Sequence, residues 1–103
     1  MQHIAKGFEV NFMHWLNETC AIEVTIPQHN EVIRPAVAYI APNDKHLCVN
    51  AKRTIELVSG PSAGGFRPSG DMLLKSVAEV YGKAAVGVIL TGMGKDGAEG
   101  MMA

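Results

Sequence analysis

The stretch that decides the fold is Ala85-Val86-Gly87-Val88-Ile89-Leu90-Thr91-Gly92-Met93-Gly94-Lys95-Asp96-Gly97-Ala98. Its first six residues are apolar or glycine and do not alternate with polar ones. Such a run, short and bounded by turn residues, predicts a strand buried on both faces, the habit of a central parallel strand. A glycine-rich loop follows, and Ala98 opens a helical segment. Strand, loop and helix in that order predict α/β architecture. In open α/β sheets, ligands and catalytic groups collect where strands end at their carboxyl edge, so Thr91 to Gly97 is the first place to look for chemistry.

Upstream of that strand, Leu73, Leu74, Val77, Val80 and Tyr81 share one face at 3.6 residues per turn. Ser69 suits the N-cap of this helix, Asp71 its positive end, and Gly82 its C-terminal stop. Ser59 to Gly70, with four glycines and two prolines, is a loop by composition. Farther back, Ala36 to Ile40 and His46 to Val49 flank Pro42-Asn43-Asp44-Lys45, a turn by residue type. The two runs are expected to pair as a hairpin, extended by Thr54 to Val58 into a small antiparallel meander. Ala21 to Ile26 reads as a strand broken by Pro27. Between Gly7 and Thr19, Phe8, Phe12, Trp15 and Leu16 form a stripe that predicts an amphipathic helix packed on a core. The architecture is therefore α/β with an antiparallel insertion.

Composition narrows the function classes. The chain has 103 residues, 48% hydrophobic and 18% charged, with nine Lys and Arg against ten Asp and Glu. Its mean hydropathy is +0.11. These values suit a folded domain and exclude a disordered tail. A net charge of −1 carries no signature of nucleic-acid binding or of a basic membrane-surface helix. The longest apolar run, Ala84 to Leu90, is too short to span a bilayer, and the N-terminus lacks the form of a signal peptide. One domain over residues 1–103 is the ceiling. The chain opens at Met1-Gln2-His3 with no element leading in and stops at Gly100-Met101-Met102-Ala103 within a helix, which predicts a piece of a larger domain. Cys20 and Cys48 form no metal-binding or redox spacing and read as buried reduced thiols of a cytoplasmic protein.

The loop itself allows more than one chemistry. Gly92-Met93-Gly94-Lys95-Asp96-Gly97 spells GxGxxG after a strand, which raises a nucleotide-binding α/β module as an alternative. That fingerprint needs an acidic residue about 20 positions onward, beyond the last residue here. A phosphate-binding P-loop is excluded, because Asp96 follows Lys95 where Ser or Thr is required. Asp96 has two readings. It can cap the helix that begins at Ala98, or it can orient a histidine imidazole and stabilise the imidazolium formed during proton transfer. Of the four histidines, His14 lies off its helix's apolar stripe, and His29 and His46 sit beside turns as surface residues. His3 precedes the first helix, where an α/β fold would place the end of a preceding strand.

A family resemblance joins these residues. Gln2-His3, Gly7-Phe8, Tyr39-Ile40-Ala41-Pro42 with His46, Arg67-Pro68-Ser69 with Asp71, Ser76-Val77-Ala78-Glu79 and the long stretch Ala85 to Gly100 occur in one order. Together they resemble the catalytic domain of the chemotaxis protein-glutamate methylesterase (CheB) family, over practically the whole chain. The resemblance implies a Rossmann-like parallel sheet flanked by helices. It implies an enzyme that hydrolyses γ-glutamyl methyl esters on chemoreceptors and in many members deamidates receptor glutamines.

It also implies a Ser-His-Asp triad in which His3 and Asp96 match the histidine and the aspartate. Met93, through its backbone N–H, matches the oxyanion region. The serine belongs to a glycine-flanked Ser-Thr turn before the segment that matches His3, so a chain beginning at Met1 is expected to be inactive alone. Ser59, Ser62, Ser69 and Ser76 have milder explanations as loop, cap or helix-surface residues. No metal and no organic cofactor is implied. The implied partner is the methylated cytoplasmic domain of a chemoreceptor, with room for a receiver domain in the parent protein. Phe66, where the family commonly has histidine, and Gly70, where it usually has an apolar residue, depart from the pattern. Both departures bear on the substrate loop and leave the triad positions untouched.

Overall fold

The structure is a computed structural model, described for residues 1–2, 4–60, 67–90 and 96–103. In chain order the elements are α1 (Glu9–Thr19), β1 (Glu23–Thr25), β2 (Val37–Tyr39), β3 (His46–Val49), β4 (Ile55–Val58), α2 (Gly70–Tyr81), a 3-10 turn (Gly82–Ala84) and α3 (Ala98–Met101).

The best-buried part is built on the hairpin of β3 and β4, paired antiparallel from His46 opposite Val58 to Val49 opposite Ile55. Asn50 closes the turn: its Oδ1 accepts the backbone N–H groups of Lys52 and Thr54. Asn is suited to this because its short side chain can replace a backbone acceptor in a turn. The second edge of β4 is also occupied. Ile55 N–H donates to the Glu31 carbonyl, Asn30 N–H donates to the Ile55 carbonyl, and Val32 bridges Thr54. Ile55, only 1% exposed, is thus hydrogen-bonded on that edge and packed with Ala41 and Leu47, with Ile33, Tyr39, Leu57 and Leu73 around them.

Helix α2 lies over β3. The Ser76 hydroxyl accepts Val49 N–H at 3.1 Å and donates to the Leu73 carbonyl. At its far end the Tyr81 ring receives the Arg53 guanidinium 5.5 Å from its centroid, which ties the hairpin turn to the helix. Gly82, with φ +50°, ends the helix where its composition predicts.

A second, smaller sheet pairs β1 with β2 in parallel, Val24 opposite Ala38. The outer edge of β1 is closed by one side chain. The Asn17 amide donates to the Val24 carbonyl at 2.7 Å and accepts Val24 N–H at 2.8 Å, so α1 is clamped to the strand by two hydrogen bonds.

Three expectations about packing and pairing are corrected, and two about single residues follow. Ala36–Ile40 and His46–Val49 do not pair with each other: β2 joins β1 in parallel, and the hairpin is β3 with β4. The turn at Asn43 and Asp44 exists, Asp44 at φ +63°, but it leads from one sheet to the next. The aromatic stripe of α1 is not packed on a core, since Phe8 and Trp15 are each 58% exposed and no residue of α1 is buried. Phe12 and Trp15 stack on one another instead, 6.2 Å between centroids. Finally, Ala85 to Leu90 is not a buried strand. It carries no strand pairing, and Val86 and Leu90 are each 89% exposed. A parallel strand requires hydrogen-bonded neighbours and a helix layer on each face. Among the described residues, no strand stands beside this segment.

The thiols also divide. Cys48 is buried as expected, and burial pushes its pKa up, whereas Cys20 is exposed. His46, expected at the surface, is fully buried on β3; His14 and His29 are exposed.

Candidate active site

Asp96 stands two residues before α3, and its carboxylate does not cap that helix. The N-cap of α3 is Gly97, at φ +93°, a left-handed conformation suited to glycine, with no side-chain cap bond. Asp96 reaches instead to the start of α2. Its Oδ2 accepts Gly70 N–H at 2.8 Å, and its Oδ1 accepts Asp71 N–H at 3.2 Å and the Ser69 hydroxyl at 2.9 Å. Ser69 is the N-cap residue of α2 by position, yet it makes no side-chain cap bond.

The favour is returned from the other side. Asp71 Oδ1 accepts Gly97 N–H at 3.0 Å and Gly100 N–H at 2.8 Å, so a residue of α2 caps α3. The two carboxylates exchange helix ends. Free N–H groups at a helix start need acceptors, and negative charge is favourable there, so each exchange suits both helices. The close approach this demands explains Gly100: a Cβ there would lie 2.8 Å from Leu74 Cβ and 3.0 Å from Asp71 Cα.

Asp96 lines a cavity of about 340 Å³ together with Gln2, Tyr39, Gly70, Leu73 and Ile89. Chemically, the arrangement is a carboxylate of fixed orientation on the wall of a partly apolar cleft, beside the residue that precedes His3.

His3 and Met93 lie outside the described residues, as does most of the GxGxxG loop. Ser62 lies outside them too. The remaining serines are engaged structurally: Ser59 Oγ accepts from Lys45, Ser69 serves Asp96, and Ser76 links α2 to β3. None occupies a strand-to-helix elbow. Sequence spacing did not anticipate that Ser69 and Asp71, taken there as helix-start residues, converge on residues 96–100. Gly70 is likewise closer to the site than expected. A Cβ at that position would sit 3.3 Å from Asp96 Oδ2, so this departure from the family pattern abuts the expected triad acid.

Comparison with known proteins decides the family. The CheB methylesterase family model matches residues 1–103. The chain belongs to the CheB methylesterase family. It is 47% identical over 100 residues to the protein-glutamate methylesterase FrzG of Myxococcus xanthus, covering 97% of this chain and 30% of that protein. Against a protein-glutamate methylesterase/protein-glutamine glutaminase of Enterobacter cloacae it is 47% identical over 105 residues, covering 99% of this chain and 30% of the relative. The crystal structure of the Thermotoga maritima CheB methylesterase catalytic domain superposes with a TM-score of 0.93 at 35% identity, over 98% of this chain and 55% of that one. The α/β fold of that catalytic domain is therefore the fold of this chain. The chain spans about 30% of the length of these curated relatives.

Proposed function

We propose that this chain is part of a protein-glutamate methylesterase catalytic domain acting in bacterial chemotaxis. Its substrate is the γ-glutamyl methyl ester of a chemoreceptor's cytoplasmic helical bundle, with receptor glutamine deamidation as a related reaction, and it works in the cytoplasm. The observation that carries the reading is Asp96, its carboxylate fixed by three donors on the wall of a cavity that also takes Gln2. Asp96 and Gln2, the residue before the expected base, both line this cleft, which supports the reading.

In the whole domain, a serine of the segment preceding His3 attacks the ester carbonyl. His3 accepts the serine proton and passes it to the methanol oxygen as that group leaves. Water then attacks the acyl-enzyme with His3 again as base, releasing the glutamate carboxylate and restoring the serine. Asp96 holds His3 in the required tautomer and stabilises its imidazolium, and the Met93 backbone N–H stabilises the tetrahedral oxyanion.

The test is Asp96→Asn in the full-length protein. Turnover of methyl-labelled receptor should fall by roughly 10⁴-fold, as the corresponding change does in serine-protease triads. Near-normal demethylation would remove Asp96 from the mechanism. The 103-residue chain alone should release no methanol, and measurable turnover by it would point to one of its own serines as nucleophile.

A further inference from the structure

Ser69 has an unusual assignment for an N-cap residue. Ordinarily such a serine accepts a backbone N–H from the first turn of its own helix. Here the Gly70 and Asp71 N–H groups are taken by Asp96, and the Ser69 hydroxyl becomes a third donor to the same carboxylate. Ser69 is fully buried, so its hydroxyl has no route to bulk water. Among the donors that residues 69 to 71 give to Asp96, it is the one side chain. The two backbone donors belong to α2 and are present whatever residue occupies position 69.

We propose that Ser69 is a positioning residue for Asp96: its buried hydroxyl fixes the plane of the carboxylate relative to the cleft, while Asp71 anchors the backbone of residues 97–100. A carboxylate held by N–H donors at both oxygens can still tilt, because each donor tolerates a range of angles. The hydroxyl on Oδ1, opposite the Gly70 donor on Oδ2, removes that freedom. Orientation matters in a triad because the acid acts through one directed hydrogen bond to the imidazole. The inference rests on the triad reading of Asp96 given above.

The experiment compares Ser69→Ala, Ser69→Thr, Asp71→Asn and Asp96→Asn in the full-length protein, with kcat, KM and the pH–rate profile measured for each. Ser69→Ala should lower kcat by about 10- to 100-fold, the effect of losing one hydrogen bond to a charged group, with KM for the receptor within about twofold. It should also move the acid limb of the profile to lower pH, because a misaligned Asp96 stabilises the imidazolium of His3 less. Ser69→Thr, which keeps the hydroxyl, should restore the position of the limb.

Asp71→Asn, which keeps an acceptor for Gly97 and Gly100, is the comparator for loosening of the two helices. It should leave the limb where it is. If Ser69→Ala does not fold, Ser69→Cys, close in volume and a weak donor, carries the same readouts. Unchanged kcat and profile in the Ser69 variants, with Asp96→Asn inactive, would overturn the positioning role alone. A kcat loss without movement of the limb would assign Ser69 a purely structural role. Normal turnover by Asp96→Asn would instead remove the triad reading on which the inference stands.

Discussion

The hairpin of β3 and β4 and the segment Ala85 to Leu90 are both rich in branched apolar residues, and they meet opposite fates. In the hairpin, Leu47, Cys48 and Ile55 are buried, covered by α2 and by the segment at residues 30–33. In the segment, Val86, Val88, Ile89 and Leu90 are exposed. The difference is in what surrounds each. An apolar run specifies that a surface needs covering, at roughly 25 cal/mol per Å² of apolar area removed from water. It does not specify which part of a chain supplies the cover. The hairpin finds its cover within about 30 residues of sequence, whereas a central parallel strand draws neighbours from distant segments. The T. maritima catalytic domain extends well beyond the part matched here.

Substitutions in this chain test the contrast. The largest effect is expected at Ile55, where Ile55→Ala should cost about 2–5 kcal/mol in denaturant unfolding. A loss below 1 kcal/mol would mean that the hairpin is not the stabilising centre. Next is Gly100→Ala, where the added methyl meets Leu74 Cβ and the Asp71 backbone. Forcing α2 and α3 apart should cost about 1–3 kcal/mol, read as a lowered melting temperature, and an unchanged melting point would show that the two helices can slide.

A smaller effect is tied to pH. Arg67 hydrogen-bonds and attracts Asp44, Nη2 to Oδ1 at 2.6 Å, and holds its carboxyl below the usual value. A folded pKa below the unfolded one gives stabilisation that is present above the unfolded pKa and is lost as pH falls through the folded one. Asp44→Asn should therefore flatten the acid side of the stability profile slightly, and an unaltered profile would show that this exposed pair contributes nothing. The smallest effect is expected at Val86→Thr, within about 0.5 kcal/mol, because the side chain is already in water. A loss comparable to that at Ile55 would abolish the contrast between the two regions.

How much of this was readable in the sequence follows from the same contrast. Helices α1 and α2 and the glycine stop at Gly82 emerge from local periodicity and propensity, which act within a few residues. Pairing does not. A run such as Ala36–Ile40 has the composition of a strand whether it joins β1 in parallel or β3 in a hairpin, and the Pro42–Lys45 turn permits either. The sidedness of α1 was legible, since its stripe exists, but burial of that stripe requires a partner that periodicity cannot name. At the site, the family motif pointed to Asp96. The exchange of helix ends with Asp71 was hidden because it joins residues 25 to 29 apart through side-chain geometry. Ser69 bore the right signal for a cap and the wrong recipient for its hydroxyl.

The Asn17 clamp on Val24 has a consequence for assembly. A strand edge with unpaired N–H and C=O groups is a template onto which another strand, from this or another molecule, can add. At Val24 both groups are already taken by a single amide. At Val24 the β1 edge of the small sheet therefore has no free group for a further strand. One asparagine on a helix thus does the work of an edge strand.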